Sequence, residues 1–588
     1  MMRPTDEQRR FANHVPGAFV EACPGAGKTR TIVARIARIA PTLPPRKGLA
    51  VLSFTNSAIE EFIARCHALD LDWALRHPGF VGTFDAFLRQ FFFSPGGIEG
   101  ISLCPTVVDS WETLAVEIRL RGANAFKGDG AGLDLFDAGT DQVDPASIGH
   151  AGLSAHVRAH RAAYQQAAAQ RRRALRAKGY LSVADVRVDV VRRLQQVDWS
   201  AALGRALAAR FQEVMVDEAQ DCNPLDCQII RWLRDTGVAL TVVADPDQAI
   251  YGFRHGSPAG LRGIADGYNV TDRLPMTGNF RSSPSICGVA ATLRTRCTPD
   301  TSLGETAAIT EPVHILTYTG NSVPDRIGHR FCQLMVACGI PKAMGIVLSH
   351  SRKNALRACG SCAEEEAGNS NLARIAGAVA NFWSSSPSNR ARESALRVIE
   401  KSILELMGQT DDDEVPARAA ERRGIDPRWL RRSALELISW IPQRCADTSD
   451  GRTAWVSSLR AGVQRLQLTY RAGISEGQYF PNRADAKWHR LLVIGEASQI
   501  KSATIHEAKG KEYEAVCVVI PPDLREPRRT EHLFTMWQNR TDDEAKRVIY
   551  VGITRAKKLG VIAAPATFND RLTAILGAAH ANFQVHQL

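Results

Sequence analysis

The chain has 588 residues, 45% of them apolar and 23% charged, and a formal charge of +11. Single hydrophobic cores stop growing at roughly 250–300 residues, so two to four domains are expected. No apolar run of about 18 residues occurs and the opening MMRPTDEQRRFANH lacks the apolar stretch of a secretory signal, which argues against membrane insertion and export and for the cytoplasm.

Short apolar runs read as buried parallel strands. In chain order they are GAFVEA, GLAVLSF, EVMVD and VALTVVAD, then PVHILTY, MGIVLS, AVCVVI and GVIAAP. The first is followed by a helical stripe of Ile32, Val33, Ile36 and Ile39. Residues 91–180 run from FFFSPGGIEG to the Ala- and Arg-rich AHRAAYQQAAAQRRRALRAKG, a strong helix former. Residues 151–210 hold 12 Lys and Arg against 3 Asp and Glu, a basic stretch that suits either a solvated helix face or nucleic acid. Residues 361–495, with the loop-like GQTDDDEVPARAAERRGIDPRW, are nearly neutral and again helical in pattern. The expected fold is therefore α/β: two parallel-sheet cores, each interrupted by a mainly helical insertion. The 13 cysteines are odd in number and scattered, which suits free thiols in a reducing compartment. Cys359 and Cys362 form one CxxC without a second pair at zinc spacing, so no zinc site is expected there.

The stretch EACPGAGKTRT carries the chemistry. A phosphate cradle needs inward N–H groups on tight turns, a helix N-terminus, a lysine for the outer phosphates and a hydroxyl for magnesium. ACPGAGKT offers Gly25, Ala26, Gly27, Lys28 and Thr29 in that order, between an apolar run and a helix, although Ala22 stands where the usual pattern has glycine. A hydrolytic site also needs one carboxylate for magnesium and a second for water, and VDEAQD supplies Asp217 and Glu218 directly after an apolar run.

With those two motifs stand seven more: TDEQRRFA, LSFTNSAIEEF, VGTFDAF, VVADPDQAIYGFRHGS, GNFRSSPSI, TIHEAKGKEYEAVCVV and KRVIYVGITRAKKL. Taken in order, the nine resemble the motif set of the UvrD/Rep/PcrA family of superfamily 1 helicases. The resemblance implies two RecA-like cores. Residues 1–90 and 180–272 would form the first, with insertion 91–179; residues 273–360 and 496–588 would form the second, with insertion 361–495.

It also implies roles. Lys28 would hold phosphate, Thr29 and Asp217 magnesium, and Glu218 would be the base for the attacking water. Gln248 would sense the γ-phosphate, and Arg281 and Arg555 would reach it from the second core. Gln8 resembles the adenine-edge reader, Arg30 and Phe280 the pair that sandwiches the ring, and Glu512 the ribose contact. Phe54, Thr83, Tyr251, Phe253 and Arg254 fall on positions that meet the DNA strand, where aromatic rings stack on bases; without the family, such rings would more often be core. His506 resembles a position that couples DNA to the acidic pair. The departures are Ser57 where lysine is common, Asp85 where histidine is common, and Ala545 where a second glutamate is usual.

The implied activity is ATP- and Mg2+-dependent 3′ to 5′ translocation on single-stranded or forked DNA, in repair or recombination. The second insertion looks reduced, which admits another reading: the motor component of a nuclease complex, for instance in antiviral defence, with weak unwinding alone. Only 33 residues follow Arg555, so a separate protein is expected to do any cutting. A third reading, a nucleic-acid scaffold without turnover, runs against the intact Lys28, Asp217, Glu218, Gln248, Arg281 and Arg555.

Overall fold

The computed structural model describes residues 3–588 except 95–104, 115, 121, 123–125, 127–129, 149, 251–257, 296–298, 362–369, 384–388, 410–415, 447, 472, 483–487, 493–499 and 524–528. The chain divides into two compact units, Met1–Ser282 with Asp300–Ala307, and Ser283–Pro299 with Ala308–Leu588.

Unit 1 is built on six strands: β1 (Ala18–Ala22), β2 (Gly48–Ser53), β3 (Phe80–Thr83), β4 (Phe211–Val216), β5 (Leu240–Ala244) and β6 (Arg273–Met276). They lie in the order β6-β1-β5-β4-β2-β3, with every pairing parallel. Both faces are covered, which is why the inner strands read as continuous apolar runs. Val20, Val51, Met215 and Val243 pack on one face against Ile32, Val33 and Ile36. Leu52, Val214, Val216 and Val242 pack on the other against Phe84, Phe87, Ile229 and Ile230.

Helix α1 (Asp6–Asn13) opens on a capping box between Thr5 and Gln8, and α2 (Lys28–Ile39) follows β1. Beneath them Arg35, with no exposed surface, is bound to Glu213 through Nε and Nη2 and to the carbonyls of Phe11 and His14 through Nη1. The first insertion has its own core around Trp111, Leu133, Phe136, Tyr164 and Leu175, with helices Ala151–Ala159 and Arg161–Ala177.

Unit 2 repeats the plan with β7 (Val313–Tyr318), β8 (Gly345–Ser349), β9 (Lys501–Thr504), β10 (Tyr513–Val519), β11 (Ala556–Pro565) and β12 (Phe583–Gln587). Their order is β9-β8-β10-β11-β7-β12, again all parallel. Its insertion includes helices Asn371–Phe382, Asn389–Leu406, Pro427–Trp440 and Ser449–Arg465, packed around Ile375, Ile399, Leu437, Trp455 and Val463. The fold is thus α/β with two RecA-like parallel-sheet cores, each carrying a mainly helical insertion. Residues 273–282, expected in the second core, lie in unit 1, because β6 pairs with β1.

Candidate nucleotide-binding site

The phosphate loop leaves β1 at Ala22 and is held by main-chain bonds: the Cys23 N–H donates to the Met276 carbonyl at 2.9 Å. Gly25 (φ +74) and Gly27 (φ +70) take left-handed conformations that a side chain would strain. Gly27 caps α2 without a side-chain bond, so the first N–H groups of that helix face the loop, the arrangement that binds anions. At Gly25 there is also no room, since a Cβ would meet the Arg281 Cβ and the Asn279 Oδ1 at 2.6 Å each. The Phe280 N–H donates to the Gly25 carbonyl at 2.9 Å, and Asn279 Oδ1 accepts from the N–H groups of Arg281 and Ser282. Arg281, expected from the second core, therefore sits against the phosphate loop within unit 1. Phe280 is half-buried, while Arg30 is exposed on α2.

Across the loop stands the acidic pair. Lys28 Nζ lies 2.8 Å from Glu218 Oε1. Burial works against the Lys28 ammonium, but Glu218, Asp217 and Asp245 outweigh it and hold its pKa above the ordinary lysine value. Asp217 is buried; desolvation and the neighbouring Glu218 push its carboxyl up to about 7, against the pull of Lys28. Its Oδ1 accepts from the Glu218 N–H at 2.9 Å. Glu218 itself adopts φ +55, a strained conformation of the kind that clusters at functional sites. Gln220 Nε2 donates to Glu218 Oε2, and Gln220 Oε1 accepts from the Asp245 N–H at 3.1 Å. Gln248 Nε2 donates to Asp245 Oδ2 at 2.8 Å. A polar chain thus runs from Lys28 through Glu218, Gln220 and Asp245 to Gln248. Gln220 and Asp245 are not among the expected site residues, although both lie inside quoted motifs; Asp245 directly follows β5 and Gln220 lies in the turn after β4, both buried polar residues.

The donor set suits magnesium. Asp217 is a buried acid beside a second acid, a place where a divalent cation offsets like charge, and Thr29 adds a hydroxyl from the first turn of α2. No cluster of three His, Cys, Asp or Glu side chains able to hold a metal occurs among the described residues. Gln8 is tied to the loop: its Nε2 donates to the Ala26 carbonyl at 2.9 Å and its Oε1 accepts from the Thr5 N–H at 3.0 Å. One amide N–H and one lone pair remain for a base edge.

In unit 2 Arg555 is 2% exposed, its Nε donating to the Val551 carbonyl at 3.0 Å. Glu512 pairs with Lys557 at 2.8 Å. The His506 ring meets His350 edge-on at 5.6 Å.

Of the residues expected to meet DNA, Phe54 is half-buried and stacks on Phe84 at 5.1 Å. Thr83 caps helix Phe84–Phe87 through the Ala86 N–H. Tyr251, Phe253 and Arg254 lie outside the described residues, as does Cys362; Cys359 is buried. Asp85, which replaces the common histidine, pairs with Arg187 at 2.7 Å, and Arg187 also binds Asp226. The basic segment splits in two. Arg172, Arg176 and Arg187 are spent on Asp141, Asp185, Asp189, Asp85 and Asp226, and Arg193 and Arg210 on main-chain carbonyls. Arg158, Arg161, Arg171, Lys178 and Arg205 are exposed, and Arg173 belongs to the same helix as Arg171.

Two parallel-sheet cores and a glycine loop facing an acidic pair define a phosphate-loop NTPase class, and comparison with known sequences narrows it. The family model of the UvrD/REP helicase N-terminal domain matches residues 5–100 and 135–268, and that of the UvrD-like helicase C-terminal domain matches residues 489–565. The chain is 26% identical over 581 residues to the ATP-dependent DNA helicase UvrD2 of Mycobacterium tuberculosis, covering 94% of this chain and 77% of that one. It is 26% identical over 286 residues to the ATP-dependent DNA helicase PcrA of Leuconostoc citreum, covering 46% and 36%. A shorter match, 31% over 160 residues covering 25% and 13%, is to an ATP-dependent helicase/nuclease component of Exiguobacterium sibiricum. The chain belongs to the UvrD/Rep/PcrA family of superfamily 1 helicases.

Proposed function

We propose that this chain couples ATP hydrolysis to 3′ to 5′ movement along single-stranded DNA and unwinds forked duplex in repair or recombination, in the cytoplasm. The observation that carries the reading is the 2.8 Å pair between Lys28 and Glu218 at the mouth of the glycine loop, with Asp217 beside it. ATP arriving in the loop draws Lys28 onto its outer phosphates, which frees Glu218 to take a proton from the attacking water. Gln248, oriented by Asp245, reports the terminal phosphate, and Arg281 and Arg555 offset the charge that develops on it. Thr29 and Asp217 would hold Mg2+, which supplies charge neutralisation at the β- and γ-phosphates. Gln8, Arg30 and Phe280 are assigned to the base, Glu512 to the ribose, and Phe54, Thr83, Tyr251, Phe253, Arg254 and His506 to DNA and its coupling to turnover.

The test is an ATPase assay with single-stranded, duplex and forked DNA and with RNA, joined to strand displacement from substrates with a 3′ or a 5′ tail. Stimulation by single-stranded DNA and displacement only with the 3′ tail are expected; no turnover with any of them leaves the scaffold reading. The match to a helicase/nuclease component favours one second reading, a motor that unwinds well only beside a separate nuclease, as in antiviral defence. Weak displacement alone with strong DNA-stimulated turnover would select it.

A further inference from the structure

Ser53 ends β2 with 2% of its surface exposed, and its hydroxyl has no hydrogen-bond partner. A buried hydroxyl left unpaired is destabilising, and the apolar run GLAVLSF would tolerate alanine there. Its place in the sheet says what it faces. Val51 lies opposite Met215 and Leu52 opposite Val216, which sets Ser53 opposite Asp217, whose N–H donates to the Leu52 carbonyl at 2.8 Å. Side chains alternate along a strand. Val51 and Met215 pack on the face of α2, and Leu52 and Val216 on the other, so Ser53 and Asp217 share the face of the helix that carries Lys28 and Thr29. The Asp217 Oδ1 is taken by the Glu218 N–H, leaving Oδ2 as acceptor.

We propose that Ser53 is a positioning residue for the magnesium site: its hydroxyl donates to the Asp217 carboxylate once nucleotide and metal are bound, fixing the oxygen that faces the cation. The inference rests on the assignment of Asp217 to magnesium. Neighbours that orient a ligating carboxylate typically change metal affinity about 10- to 100-fold when removed.

The test uses the full chain with MnCl2 and a non-hydrolysable ATP analogue, reading bound Mn2+ by electron paramagnetic resonance, and the melting temperature of the nucleotide-free protein. Ser53→Ala is expected to weaken Mn2+ binding about 10-fold. It should leave metal-free binding of a fluorescent nucleotide unchanged and keep or raise the melting temperature, because an unpaired buried group is gone. Ser53→Thr, which keeps the hydroxyl, should restore Mn2+ binding. Wild-type Mn2+ affinity in Ser53→Ala, beside a loss in Asp217→Asn, would overturn the inference and leave the magnesium assignment standing. Wild-type affinity in Asp217→Asn as well would overturn both. A lowered melting temperature with unchanged Mn2+ binding would make the hydroxyl structural and also sink the proposal.

Discussion

The Lys28 ammonium lies 2.8 Å from the Glu218 carboxylate, so the cation proposed for phosphate and the base proposed for water offset each other's charge. Lys28→Ala is expected to abolish ATP turnover, because phosphate then loses its cation and the acidic pair its counter-charge. Glu218→Gln should keep nucleotide binding while hydrolysis drops by at least about 100-fold, the scale of a lost general base. Stopped turnover with retained fluorescent-nucleotide binding checks the second; wild-type rates in either variant would remove the assignment.

Gly25→Ala tests the loop without replacing a charged group. The new methyl meets Asn279 Oδ1 and the Arg281 Cβ at 2.6 Å, and the backbone sits at φ +74. A cost of about 1–3 kcal/mol is expected from the conformation alone. Segment 279–281 must also shift, so nucleotide affinity should fall with stability. Chemical denaturation and nucleotide titration read the two effects.

Arg35 and Glu213 are both without exposed surface and hold α2 to β4. Arg35→Met leaves a buried carboxylate unpaired, for an expected loss of about 3–5 kcal/mol. Replacing both residues by methionine should recover much of it, since apolar pairs of like volume often serve as well. Equal unfolding midpoints for the single and double variants would contradict this.

The raised pKa of Asp217 gives a pH dependence with a definite sign. Its carboxyl titrates near 7 in the folded chain against an ordinary 3.8. Between those values the folded protein keeps a proton that the unfolded chain has released, so this residue's contribution to stability falls as pH rises through that window. Asp217→Asn cannot ionise, and its nucleotide-free stability should decline less between about pH 4 and 7. Denaturation at a series of pH values decides it; parallel curves would refute the prediction.

The exposed cations of the first insertion separate from the structural ones by experiment. Arg171→Gln with Arg173→Gln should weaken DNA binding and lower the salt slope by about one per lost phosphate contact, with little change in stability. Arg187→Ala should instead destabilise unit 1, because Asp85 and Asp226 lose their shared partner. A salt slope unchanged in the double variant would mean that this helix faces only water.

The sequence by itself determined the eight inner strands, the glycine loop and the acidic pair. Strands covered on both faces must be apolar throughout, and a phosphate cradle admits few residues at each position, so both leave local signals. Tertiary structure decided the rest. In the two six-stranded sheets the four strands that no apolar run announced, β3, β6, β9 and β12, are the edges, where one side has no neighbour and the pattern loses its constraint. The family resemblance puts Arg281 in the second core, but β6 pairs with β1 and draws the following residues against Gly25. The basic segment shows the same limit: charge is legible in the sequence, but whether an arginine meets solvent or a buried aspartate depends on residues far along the chain. Local chemistry is written in adjacent residues; pairing across the fold is settled only when distant ones are packed together.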